Sequence, residues 1–291
     1  MTTYEDIECK VIDGFPALDE ELVNNLLFDS RRDFNKKIIV LDDDPTGVQT
    51  VHDVSVYTDW SMASLRKGFS EEKQMFYILT NSRSFSAART REVHQEIAQN
   101  IYLAAEELKK DFIVISRGDS TMRGHYPLET EVLREEIMRS GGRDFDGEII
   151  CPFFKEGGRY TVDNIHYVKD DQQLIPVGKT EFARDKTFAY SESHLGKYIE
   201  EKTAGRFKSK DCIYITLDEI RKIDIDSIVN KLLMVENFNK VIVNAVDYPD
   251  LKVFCAALIK AMKAGKNYLF RTAASMPKIL GNINEKPLLV K

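Results

Sequence analysis

Short runs of aliphatic and β-branched residues alternate along the chain with longer stretches in which apolar residues recur every three or four positions. That alternation is the pattern of a wound parallel sheet. Strands are predicted at Lys37–Leu41, Val54–Thr58, Met75–Thr80, Phe112–Ser116, Glu148–Cys151, Ile213–Thr216, Lys240–Asn244 and Tyr268–Arg271. Several are apolar with little alternation, as expected of strands covered on both faces. Between them, Val93, Ile97, Ile101, Ala105 and Leu108 mark a helix over Ala87–Lys109, with Ser84 or Ser86 as cap. Further helices are predicted over Leu128–Arg139, stopped by Gly141-Gly142, and over Asp250–Lys263, closed by Gly265. Residues 1–35 read as an N-terminal helical extension, and residues 36–291 as one α/β domain. The expected fold is therefore α/β and Rossmann-like. A mainly parallel, wound sheet is flanked by helices in three layers, forming a single substrate-binding domain. Lys, Ser and Glu dominate between about 180 and 210, read as a surface excursion or a weak boundary.

Composition narrows the class. With 43% hydrophobic and 30% charged residues, the 291-residue chain has the makeup of a packed globular protein. Its 41 Lys and Arg against 47 Asp and Glu give a net charge of −6, which argues against nucleic acid or a membrane surface as partner. No apolar run approaches the length of a membrane span, and the amino terminus is polar and acidic where a signal peptide is basic and then apolar. Cys9, Cys151, Cys212 and Cys255 lie far apart without interleaved His, which suits a reducing, cytoplasmic setting and excludes a zinc ribbon. His52, His94, His125, His166 and His194 show no metal-ligand spacing. Gly178-Lys179-Thr180 lacks the earlier glycine and leading strand of a phosphate loop, and no nucleophile elbow or dinucleotide fingerprint is present.

In an open α/β sheet, ligands bind beyond the carboxyl ends of the strands. Four such junctions are polar here. Asp42-Asp43-Asp44-Pro45-Thr46-Gly47 places three adjacent carboxylates at a strand end, where they repel one another unless cations, donors or substrate hydroxyls meet them. The alternative is a solvated acidic turn. Thr80-Asn81-Ser82-Arg83-Ser84 is either a site or an ordinary helix cap. In the run from Ser116 to His125, Arg117 and Arg123 frame two glycines, Asp119 and two hydroxyls. An arginine fork suits a carboxylate or phosphate, and Asp119 with the hydroxyls suits a sugar. Finally, Gly157-Gly158-Arg159 lets backbone approach a ligand, or forms a hairpin turn toward Ile165–Val168.

Two resemblances follow. Asp42-x-Asp44-x-Thr46 after an apolar strand, with Leu79-Thr80-Asn81, resembles haloacid-dehalogenase-type phosphatases; that reading makes Asp42 the nucleophile and Asp44 the acid/base, with Mg²⁺. Pro45 and the absence of a buried acidic pair at a later strand end depart from it. A longer ordered series resembles the four-carbon acid sugar kinase family. It comprises Asp42 to Thr50 with His52-Asp53, Thr80 to Arg83, Arg117 to His125, Gly157 to Thr161, and Phe270 to Ser275. Five ordered motifs outweigh one short one.

That resemblance implies the sugar-acid-binding domain of a kinase that moves a phosphoryl group from ATP, with Mg²⁺, to a hydroxyl of a substrate such as a 3-oxo-tetronate, threonate or erythronate. It implies Arg83, Arg117, Arg123 and Arg159 as holders of the substrate carboxylate, and Asp43, Asp44 and Asp119 as acceptors of its hydroxyls. Asp44 or Asp119 then orients the attacking hydroxyl. Thr46, Asn81, Ser82, Ser120, Gly124, His125 and Gly158 complete the implied substrate site, and Ser275 is implied to reach the nucleotide. Family members continue into a nucleotide-binding domain, whereas this sequence stops at Lys291. The expectation is a sugar-acid-binding half, completed by a separate nucleotide-binding chain or serving as a non-catalytic binding module.

Overall fold

The computed structural model describes residues 4–44, 50–118 and 121–283. In chain order these residues form β1 (Ile7–Glu8), α1 (Lys10–Asp13), α2 (Glu20–Arg31), β2 (Lys37–Asp42), β3 (Ser55–Tyr57), α3 (Met62–Ser70), β4 (Met75–Leu79), α4 (Ala87–Leu108), β5 (Phe112–Arg117), α5 (Leu128–Arg139) and β6 (Gly147–Cys151). There follow β7 (Arg159–Val162), β8 (Ile165–Asp170), β9 (Gln173–Pro176), α6 (Leu195–Lys202), β10 (Ile213–Ile215), α7 (Leu217–Arg221), α8 (Ile225–Leu233), β11 (Asn239–Val243), α9 (Tyr248–Lys263), β12 (Tyr268–Thr272) and α10 (Ser275–Leu280).

Eight strands make one sheet in the order β10-β11-β6-β12-β5-β2-β4-β3, and every neighbouring pair runs parallel. All six residues of β2 are buried, as its unbroken KIIVLD run requires of a strand with helices on both faces. Alternate residues feed two cores. Ile38, Val40, Ile115 and Phe270 face α2, α8, α9 and α10, whereas Ile39, Leu41, Val114 and Leu269 face α3, α4 and α5. This is the three-layer α/β arrangement that the hydrophobic pattern implies. Ser86, one of the two expected caps, accepts from the Arg89 amide at the start of α4.

A second, four-stranded antiparallel sheet, β1-β9-β8-β7, is absent from the strand assignment made from sequence. Its strands are short and carry Arg, Lys, Asp and Gln, so they lack an apolar stretch. The usable signal is Asp163-Asn164. Both residues adopt positive φ (48° and 66°) between Val162 and Ile165, as a two-residue hairpin requires. The segment read as a helical extension also opens with a strand, because Ile7 and Glu8 pair with Leu174 and Gln173. No helix among the described residues is long and apolar enough to cross a membrane.

Candidate functional site

The site grows from the register of the central strands. β4 and β3 lie to one side of β2 and β5 to the other, so the winding direction switches at the β2–β5 boundary. There the last residues of the two strands, Asp42 and Arg117, stand opposite each other. Arg117 Nη1 donates to Asp42 Oδ1 at 2.8 Å, with both side chains nearly withdrawn from solvent (8% and 2% exposed). Burial pushes the Asp42 carboxyl up to about 6, against the pull of the Arg117 charge. Among the described residues, Asp42 Oδ2 and Arg117 Nε are buried without a hydrogen-bond partner.

Beyond the strand end, Asp43 and Asp44 meet Arg83, which follows β4. Arg83 Nη2 and Nε donate to Asp43 at 2.7 and 3.2 Å, and Nη1 reaches Asp44. Burial pushes the carboxyl of Asp43 up; Arg83 opposes that and Glu129 adds to it. Three adjacent aspartates thus coexist because two arginines from neighbouring strands divide them. Buried ion pairs are costly to desolvate and apolar residues would pack there more stably, so their concentration at strand ends marks a candidate site.

On the opposite face of the sheet lies a second charged cluster. Arg271, next to last in β12, donates to Glu129 of α5 at 2.6 Å and to Ser116 Oγ at 3.2 Å. Glu129 Oε1 accepts from Ser82 Oγ at 2.7 Å, beside Arg83. Burial alone drives the Glu129 carboxyl up, but Arg271, His94 and the Ser82 hydroxyl together hold it below the ordinary range. The two clusters meet at Gly124. Its φ of +116° suits glycine, and an added Cβ would lie 2.7 Å from Arg271 Nη2 and 3.3 Å from Asp43 Oδ2.

Next to Gly124, Arg123 lies over the Phe182 ring (5.0 Å to its centroid) and 3.6 Å from Asp185. Arg159, the first residue of β7, lies over the same ring at 5.3 Å and donates to Thr121 Oγ1 at 3.1 Å. Two guanidinium groups from distant segments are thus held by one aromatic ring.

The other residues singled out from sequence are more dispersed. Asn81 takes a left-handed conformation (φ 55°) and is exposed. His125 turns to the Phe85 carbonyl at 2.9 Å and packs edge-on against Phe188. Gly158 has φ +66°, and its Cβ position lies 3.0 Å from Lys169, so a tight turn accounts for this glycine. Ser275 is fully buried and accepts from the Lys155 amide at 3.3 Å. Thr46, Asp119 and Ser120 lie outside the described residues. Sequence reasoning did not single out Glu129, Phe182 or Asp185, gave Arg271 no role, and read His94 only as a structural or solvated residue of the long helix. Arg271 sits in a buried strand and Glu129 in the first turn of a helix, and the Phe182 segment reads as surface. The one available signal was a charge at an otherwise apolar strand end.

The carboxylates offer Mg²⁺ no ready cage, because Asp42 is taken by Arg117 and Asp43 and Asp44 by Arg83. No group of three potential metal ligands occurs among the described residues. Nor does Asp42 suit a phosphatase nucleophile, being buried and held by Arg117.

The fold is of the wound α/β class, and the paired charges lie at the strand ends where that class binds ligands. Residues 38–280 match the family model described as a sugar-binding N-terminal domain, and the chain belongs to that family, the N-terminal domain of four-carbon acid sugar kinases. No curated protein matches it. Among solved structures it resembles a Bordetella bronchiseptica domain of the DUF1537 family, crystallised with citrate as a domain-swapped dimer. The identity is 19% and the TM-score 0.57, over 85% of this chain and 57% of that one. It also resembles a DUF1537 protein of Haemophilus influenzae, with 14% identity and a TM-score of 0.57 over 84% of this chain and 55% of that one. The chain therefore spans little more than half the length of these structures.

Proposed function

We propose that this domain binds a four-carbon sugar acid and presents one of its hydroxyls for phosphorylation by ATP. The observation that carries this reading is the convergence of Arg123 and Arg159 on Phe182, with Gly124, which follows Arg123, bordering Asp43 of the Asp43–Arg83–Asp44 cluster. In this reading the two arginines hold the substrate carboxylate, and their planar donor forks suit it. Asp43 and Asp44 accept from hydroxyls, and Asp44, the more exposed of the two, orients the attacking oxygen. Arg117 and Arg83 keep the aspartates charge-compensated. Citrate in the Bordetella relative supports a polycarboxylate or hydroxy-acid ligand. Phosphoryl transfer asks mostly for such positioning. ATP and Mg²⁺ enter with a nucleotide-binding unit, and no step here is assigned to Ser275.

Thermal-shift measurements with threonate, erythronate and a 3-oxo-tetronate test the reading. One of them raises the melting temperature of the wild-type protein, and Asp44→Asn retains that binding while slowing phosphorylation when a nucleotide-binding unit is supplied. Stabilisation by none of these acids, or unchanged phosphorylation by Asp44→Asn, contradicts it. Binding without phosphorylation in any pairing marks a non-catalytic module.

A further inference from the structure

Arg271 binds backbone at two points five residues apart. Its Nη2 donates to the carbonyl oxygen of Gly118 and, at 3.0 Å, to that of Arg123. Its Nη1 donates to Glu129 and Ser116. One guanidinium therefore joins the two ends of the stretch that carries Arg123, and Glu129 joins that stretch in turn to Ser82 after β4. Glycine is required on both sides. A Cβ at Gly118 would lie 2.0 Å from Arg271 Nη1, and one at Gly124 would lie 2.7 Å from Nη2. The anchor is deeply placed: Arg271 is 6% exposed and Glu129 1%. His94, behind them, has Nε2 3.9 Å from Glu129 and Nδ1 on the Thr90 carbonyl. Burial holds His94 below its ordinary range, leaving Arg271 as the main partner of the Glu129 charge.

We infer that Arg271, held by Glu129, is a positioning residue that fixes the backbone at Gly118 and at Arg123-Gly124 and so aims Arg123 at the ligand. The inference rests on the functional reading above for the ligand's identity, but not for the backbone anchoring. A lysine at 271 keeps a cation for Glu129 yet has a single nitrogen, which cannot serve four acceptors spread over three elements.

Hydrogen exchange and calorimetry on Arg271→Lys and Gly118→Ala test this. Gly118→Ala leaves both ionic partners in place and displaces only the guanidinium. In each variant, amides in peptides covering 117–126 should exchange about tenfold faster or more, while α9 and β11 keep wild-type protection. Sugar-acid affinity should fall roughly tenfold to a hundredfold, the scale of lost charge-assisted hydrogen bonds. Free guanidinium should restore part of the affinity to Arg271→Ala, which a general loss of packing would not permit. Wild-type exchange at 117–126 overturns the inference, as does uniform acceleration across the sheet. Should the wild-type protein bind no sugar acid, the functional reading fails and the exchange data alone decide the anchoring.

Discussion

At Asp42 one side chain carries the energetic tension of the site. Its folded-state proton affinity lies above the ordinary 3.8, at about 6, because burial disfavours the carboxylate more than Arg117 restores it. A raised value means that the folded state holds the proton more tightly than the unfolded chain. The associated stability is fully present below about pH 3.8 and lost as pH rises through about 6. Asp42→Asn removes this titration, while its effect on Arg117 is the same at every pH. Denaturant melts should show the wild type losing about 2.4 kcal/mol relative to the variant between pH 4 and 7, at about 1.4 kcal/mol per tenfold change in proton affinity. A wild-type-minus-variant difference that does not vary with pH contradicts the assignment. At this scale much of the site was legible: three adjacent aspartates and two arginines at strand ends announce a charge cluster. Which arginine answers which aspartate was not legible, since pairing depends on register, here Asp42 opposite Arg117.

Elements show the same division. β2, β5, β6, β11 and β12 were readable because buried parallel strands are continuous apolar runs, and α4 because its apolar residues keep helical spacing. The antiparallel sheet escaped because its strands hold only two to six residues, several of them charged. Phe182 escaped with it. Its neighbourhood reads as surface, yet it receives Arg123 and Arg159. Lys240 of β11 and Glu148 of β6, opposite in register, both look solvent-facing by type. They form a fully buried pair at 2.6 Å, with Lys240 Nζ 3.7 Å from the Phe238 ring. Lys240→Met strands the Glu148 charge and should cost about 3–5 kcal/mol in chemical denaturation. The double change Lys240→Met with Glu148→Leu should recover most of that loss, because an apolar pair incurs no desolvation cost. Equal destabilisation by the single and double variants refutes that account of the pair.

For the whole molecule, the all-parallel sheet is the part that positions the charge clusters. Its winding reverses at the β2–β5 boundary, and both charge clusters gather at that end. By strand alternation Asp42 and Arg117 continue the face of Val40 and Ile115, and Arg271 that of Leu269, where α5 carries Glu129. The antiparallel sheet adds Arg159 at the start of β7. In the proposed reading a sugar acid is recognised by groups that the sequence scatters from Asp42 to Arg271, so ordered motifs point to the candidate site better than any one of them. Titration calorimetry with a four-carbon sugar acid, on wild type and on Arg123→Ala with Arg159→Ala, is the most direct test. The account predicts binding to the wild type, with affinity falling at least about a hundredfold in the double variant as two charge-assisted contacts go. Wild-type affinity retained in a folded double variant would contradict it.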